Sequence, residues 1–111
     1  MRTDIDGQML RIYVGEADTF HGRPVYEQIV ERARKAGLAG VTVIRGIYGY
    51  GAGSHPHTAR VRRVREDTPV VIEIADNPDR LAAFIPLADE LVRGGLITLE
   101  GAELISYRTS K

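Results

Sequence analysis

The chain has 111 residues, enough for one domain spanning 1–111 with a single hydrophobic core. Fifteen basic and fifteen acidic side chains give a formal net charge of zero at pH 7, which excludes the broad positive field that drives nucleic-acid binding. Because cysteine is absent, disulfides, thiolate metal sites and thiol nucleophiles are excluded as well.

The N-terminus and the hydropathy pattern concern localisation. Residues 1–6 contain no apolar core of a secretion signal, and no apolar run in the sequence approaches the ~20 residues that span a bilayer. We therefore expect a cytoplasmic protein that neither inserts into a membrane nor binds nucleic acid.

Along the chain, the hydrophobic period switches between two and about three and a half in the order βαββαβ. Alternation in Leu10–Val14 predicts the first strand. Helical spacing predicts a helix with Pro24 at its first position and Gly37 closing it. The second strand is predicted from Val41 to Tyr48.

The second half repeats this arrangement. Val70–Ile74 predicts the third strand, and Asn77 followed by Pro78 predicts the capped start of a second helix. Pro86 lies inside the apolar stripe of that helix. An interior proline removes a backbone hydrogen bond, so we expect a kink there or a break into two shorter helices.

The segments 96–99 and 102–107 supply the closing strand. The fold class expected is α+β: a ferredoxin-like βαββαβ sandwich with two helices on one face of a four-stranded antiparallel sheet. By period-two counting, the other face carries Tyr13, Ile44 and Val71. Exposed apolar surface costs ~25 cal/mol per Å², so we expect self-association through this face. The alternative is a smaller, solvated sheet with scattered apolar residues.

A glycine-rich loop follows the second strand. Glycine lets a ligand approach the main chain, so this loop is a candidate ligand site. The candidate contacts are glycine amides, arginine charges and tyrosine rings: Arg45, Gly46, Tyr48, Gly49, Tyr50, Gly51 and Arg60. The alternative is a loop or hairpin whose glycines only permit sharp turns.

The same loop also suggests a metal site. His55 and His57 lie two residues apart and, together with His21, could bind Zn²⁺ or Cu²⁺ through imidazole nitrogens. The alternative is that these are solvent-exposed loop histidines. Glu16 and Asp18 come nearest to a carboxylate pair, and no activated nucleophile is evident, so we expect no enzymatic activity.

Taken together, these motifs resemble the PII-like family catalogued as domain of unknown function 190. The resemblance covers nearly the whole chain and rests on several motifs in consistent order: 10–16, 36–43, 45–51, 57–59 and 69–74. It implies a trimer of ferredoxin-like chains related to the PII signalling proteins and to the CutA divalent-cation tolerance proteins.

For function, the resemblance implies a regulatory protein. PII proteins bind adenine nucleotides in clefts between subunits and contact a target protein through the loop after the second strand. Here this implies a small ligand, with a nucleotide as candidate, in intersubunit clefts of a homotrimer, and signalling to a protein partner through the 48–58 loop. Family members occur near fluoride-channel genes, which makes a membrane transporter a candidate partner.

The match to PII is incomplete, and alternatives stay open. Gly49-Tyr50-Gly51 is similar to the base of the PII loop, but Ala52 and Gly53 stand where PII proteins have arginine and glutamine. The cofactor is therefore unknown. The alternatives are a CutA-like metal-binding protein that uses His55 and His57, and a trimeric scaffold without a ligand.

Overall fold

A computed structural model of the chain describes residues 5–51 and 68–105. The elements follow in the order β1 (Ile5–Gly15), β2 (Thr19–Phe20), β3 (Arg23–Pro24), α1 (Val25–Lys35), β4 (Thr42–Arg45), β5 (Pro69–Asp76), α2 (Pro78–Leu91) and β6 (Leu96–Leu104). This is the predicted βαββαβ order, with the short β2–β3 pair added between β1 and α1.

The four longer strands form one antiparallel sheet in the order β4-β5-β1-β6. Alternate side chains of the two central strands are buried together with one stripe from each helix, which places both helices on the same face of the sheet. The predicted ferredoxin-like sandwich is confirmed. The buried core side chains are Leu10, Ile12, Val14, Val25, Ile29, Ala33, Val70, Ile72, Ile74, Leu81, Phe84, Ala88 and Leu91.

The helix boundaries follow from their capping residues. The Asn77 side chain accepts a hydrogen bond from the Arg80 amide at 2.8 Å, as predicted for the start of α2. Gly37 follows α1 with φ at 82°, a conformation that favours glycine, and Leu38 packs against the core beyond it. Pro24 caps α1 from outside rather than occupying its first position, so that prediction was wrong by one residue.

At Pro86 the sequence predicted a kink or a break, but α2 is one continuous helix from Pro78 to Leu91, so the predicted break is wrong. Pro86 and Ala82, whose carbonyl loses its usual helical donor, both lie on the exposed side of α2. Water can bind that carbonyl there, which lowers the cost of the missing hydrogen bond.

Strand lengths also differ from the predictions. β4 ends at Arg45 instead of Tyr48, because its neighbour β5 begins at Pro69, which has no N–H with which to continue the ladder. β1 extends beyond Leu10–Val14 at its start because β6 pairs with its polar first half, and at its end because Gly15 pairs with Pro69 of β5. β6 is one strand that runs through Gly101, where two segments were predicted.

The β2–β3 hairpin was not predicted. Its turn is formed by His21 and Gly22, with φ of 54° and 81°. Gln28 of α1 is nearly buried, and its side-chain amide donates to the carbonyls of Phe20 and Arg23 at 2.8 and 3.0 Å. This single side chain ties both hairpin strands to the helix.

A buried carboxylate fixes the turn between α1 and β4. Asp76, at the end of β5, is fully buried and accepts hydrogen bonds from the amides of Ala39 and Asn77 at 3.1 and 2.7 Å. Because a buried carboxylate is costly without such partners, the turn and the start of α2 are held in one arrangement. In residues 5–51 and 68–105, neither helix is long and apolar enough to cross a membrane.

Candidate functional site

The candidate site lies at one end of the sheet, where β1 and β4 end and β5 begins. Gly15, the last residue of β1, pairs with Pro69 at the start of β5, and Arg45, the last residue of β4, pairs with Val70. β1 and β4 both run antiparallel to β5, so the segments that follow them emerge side by side. The site is therefore built on strand ends whose positions are fixed by the sheet ladder.

Two backbone hydrogen bonds continue the pairing just beyond the ends of β1 and β4. The Glu16 amide donates to the Thr68 carbonyl at 2.8 Å, and the Gly46 amide donates to the Pro69 carbonyl at 2.7 Å. Gly46 also approaches Pro69 closely: a Cβ at this position would lie 2.8 Å from the proline Cγ. The predicted use of the Gly46 amide as a ligand donor would require breaking its bond to Pro69.

Arg45 has a partner that was not predicted from the sequence. Its guanidinium forms an ion pair and hydrogen bond with the carboxylate of Glu16. The Arg45 side chain is 68% exposed and that of Glu16 is 25% exposed, so the pair lies at the surface with the carboxylate on its inner side. The signal was present in the sequence: in the βαββαβ order the first two long strands run parallel, which brings their C-terminal ends together.

The residues after Arg45 present an exposed apolar and aromatic surface. Ile47, Tyr48 and Tyr50 are 94%, 82% and 89% exposed. Gly49 between the tyrosines has φ at 148°, which side chains disfavour, so the chain here takes a course that requires glycine. Together with Gly51, these residues form what we call the loop base, residues 45–51, next to the Glu16–Arg45 pair.

Several predicted residues lie outside the described part of the chain. These are Arg60 and the two histidines His55 and His57. Of the two arginines predicted to contact the ligand, Arg45 and Arg60, the loop base therefore contains Arg45. His21, the third histidine, lies in the β2–β3 turn. Within residues 5–51 and 68–105, no three His, Asp or Glu side chains come together to hold a metal ion.

The face of the sheet opposite the helices carries an apolar row that crosses all four strands. The pairing register aligns Ile44 of β4 with Val71, Val71 with Tyr13, and Tyr13 with Leu96 of β6. We call these four residues the apolar row. Ile44 and Leu96 at its ends are 46% and 54% exposed in the single chain. The prediction of apolar residues on this face is correct, and Leu96 adds to it.

A polar cluster lies beside the apolar row on the same face. Arg11 donates through Nε to Glu73 at 2.9 Å and through Nη1 to Glu100. These hydrogen bonds, with that to Glu73 first, raise the pKa of Arg11 above its usual value, so the guanidinium stays charged. The cation is thus paired within its own chain, which lowers the cost of covering this face.

Comparison with solved structures supports the fold. The chain is similar to the apo form of CPII from Thiomonas intermedia, a nitrogen regulatory PII-like protein, with a TM-score of 0.65 and 13% identity over 96% of this chain and 100% of that chain. It is also similar to CPII bound to ADP and bicarbonate, with a TM-score of 0.62 and 14% identity over 92% and 91% of the two chains. The likeness shows a PII-like fold.

Sequence comparison identifies the family. The DUF190 model, described as an uncharacterized ACR, matches residues 7–104. A UPF0166 protein of Aquifex aeolicus is 39% identical over 101 residues, which cover 88% of this chain and 92% of that protein. The chain therefore belongs to the DUF190 family, as its sequence motifs predicted.

Proposed function

We propose that this chain is a PII-like regulatory protein of the cytoplasm, without catalytic activity of its own. It binds a small anionic ligand, with a nucleotide as the first candidate, at the loop base in clefts between subunits of a homotrimer. The 48–58 loop then signals occupancy to a protein partner. A ligand that contacts the loop base shifts the equilibrium between two loop states. The free energy of that shift is no larger than the difference in the ligand's binding free energy for the two states.

The observation that carries this proposal is the composition of the loop base. An arginine at a fixed strand end is followed, three and five positions later in the chain, by two exposed tyrosine rings, Tyr48 and Tyr50. A guanidinium binds phosphate or carboxylate oxygens, and an exposed aromatic ring offers a stacking surface for a nucleobase. Because the backbone of Arg45 is held by the sheet, the point from which its side chain extends is fixed before a ligand arrives.

The likeness to CPII supports the choice of ligand. A structure of that protein contains ADP and bicarbonate, both of which offer anionic oxygens. Arg45 suits either one. An adenine nucleotide would also use the tyrosine rings, so ADP is the first ligand to test.

The apolar row supports self-association through the open sheet face, the face opposite the helices, and with it an intersubunit site. The apolar row leaves Ile44 and Leu96 about half exposed in a single chain, while the neighbouring Arg11 is already paired. Copies of the same chain can therefore bury the row without isolating a charge. Ile44 directly precedes Arg45 at the end of β4, so a subunit packed over Ile44 would reach the strand end from which the loop base continues.

The experiment is isothermal titration of the purified protein with ADP. Arg45→Gln removes the guanidinium, and Arg34→Gln, in the last turn of α1, removes a positive charge outside the site as a matched control. Hydrogen bonds to charged groups contribute about 1.5–3 kcal/mol, so we expect Arg45→Gln to weaken ADP binding about tenfold or more. The control should bind like the wild type. Equal ADP affinity in all three proteins would count against the site.

Titration with Zn²⁺ and Cu²⁺ tests the metal alternative in the same instrument. A metal signal that is lost in His55→Ala/His57→Ala, with no ADP signal, would favour the CutA-like function. Hydrogen exchange at the loop base that is unchanged by every ligand would favour the scaffold alternative. Either result would overturn the proposal.

A further inference from the structure

We infer that Glu16 determines anion selectivity at the loop base, because it competes with the ligand for Arg45 within the chain. This role rests on the proposed function of that site. The Glu16 carboxylate occupies the guanidinium that a phosphate or carboxylate ligand would use. Glu16 therefore weakens the binding of highly charged anions relative to anions of low charge.

The structure holds Glu16 in position from its backbone. Its amide donates to the carbonyl of buried Thr68 at 2.8 Å. The turn that contains it is closed by two further bonds: the Gly15 amide donates to the Asp18 carboxylate at 2.8 Å, and the Asp18 amide donates to the Gly15 carbonyl at 3.1 Å. The backbone that carries the Glu16 carboxylate is thus part of the scaffold.

The guanidinium is the more exposed partner and has donors to spare. Arg45 uses Nη2 for Glu16, and a guanidinium carries five N–H donors in total. A ligand can therefore bind beside Glu16 or displace it. In either case it approaches a pair whose net charge is zero, instead of an isolated cation.

The consequence depends on ligand charge. Coulombic attraction scales with the product of the charges, so an anion with several negative charges loses more than a monoanion when the carboxylate neutralises Arg45. Glu16→Gln keeps the size of the side chain and an accepting oxygen but removes the negative charge. We expect a larger gain in affinity for ADP than for bicarbonate in this variant.

The test is isothermal titration of the oligomer with ADP and with bicarbonate at low and high salt. Breaking an exposed ion pair changes an equilibrium constant by about two- to fivefold. Because the ligand no longer competes with a carboxylate, Glu16→Gln should bind ADP about two- to fivefold more tightly. The gain should shrink at about 1 M salt, where the screening length falls to about 3 Å. Glu103→Gln is the matched control. Glu103 is exposed and pairs with Asp6 at the end of β6 that is far from the loop base, so its loss should leave ADP affinity unchanged.

Two results separate this role from the function on which it rests. If wild type binds ADP and Glu16→Gln binds it equally or more weakly, the competitive role of Glu16 is overturned while the proposed function stands. If none of the proteins binds ADP, the proposed nucleotide site falls, and the role of Glu16 falls with it. Glu16→Asp, which keeps the charge on a shorter side chain, gives a second measurement with an expected gain smaller than that of Glu16→Gln.

Discussion

Truncating both ends of the apolar row should raise the concentration at which the chains assemble. The perturbation is Ile44→Ala combined with Leu96→Ala, on the two edge strands of the sheet. Both side chains are about half exposed in a single chain, so the fold itself depends on them less than on the central strands. In the proposed trimer they are covered by neighbouring subunits.

The magnitude follows from the exposed fractions. Burying a whole Leu or Ile side chain contributes about 1.5–3 kcal/mol, so covering the exposed half of each contributes about 1 kcal/mol, or about 2 kcal/mol per chain. Three chains lose about 6 kcal/mol, which is about a 10⁴-fold change in the association constant. Because a trimerisation constant depends on the square of the concentration, the midpoint should rise about 100-fold.

Sedimentation velocity over a concentration series measures that midpoint. Leu87→Ala is the matched control, since Leu87 is an exposed leucine on α2, 39% exposed, outside the open sheet face. It should assemble like the wild type. A double variant whose midpoint matches that of the control would refute the assignment of the apolar row to the interface.

Two further predictions concern the fold around the site. Gly95→Ala should strongly lower the free energy of unfolding, because the added Cβ would lie 2.3 Å from the Tyr13 carbonyl oxygen. Gly101→Ala is the control and should have little effect, because its Cβ would have no neighbour within 4 Å. Equal thermal unfolding of the two variants would contradict this prediction. The hydrogen bond from Arg23 lowers the pKa of Glu31, so the ionised pair stabilises the fold above the usual glutamate pKa of 4.5, and this contribution is lost as pH falls through the lowered value. In Arg23→Gln, a carboxyl NMR titration should show the pKa of Glu31 rising toward 4.5, and an unchanged pKa would argue against the pair.

Local sequence signals predicted much of the fold. The alternation in β1 and β5 and the Asn77-Pro78 start of α2 depend on neighbouring residues, and the structure confirms them. The end of β4 depends instead on Pro69, a residue of another strand, and the continuity of α2 depends on which side of the helix Pro86 occupies. The end of β4 cannot be read from local periodicity, whereas the exposed position of Pro86 follows from its helical spacing relative to Leu81, Phe84 and Ala88.

The site shows the same division between local and distant information. The tyrosines of the loop base and the glycine that separates them were identified from the local sequence of the glycine-rich segment. The partner of Arg45 was missed, because Glu16 lies in the loop after a different strand, 29 residues away. Residues brought together only by the sheet topology are found by placing them on the predicted strand order, which local sequence signals by themselves do not do.

Native mass spectrometry of the protein with ADP reports assembly and ligand binding in one experiment. We expect a species of three 12.2 kDa chains that carries ADP, and loss of the bound ADP in Arg45→Gln without loss of the trimer. Single 12.2 kDa chains at micromolar concentration, or a trimer that retains ADP equally in Arg45→Gln, would contradict this expectation.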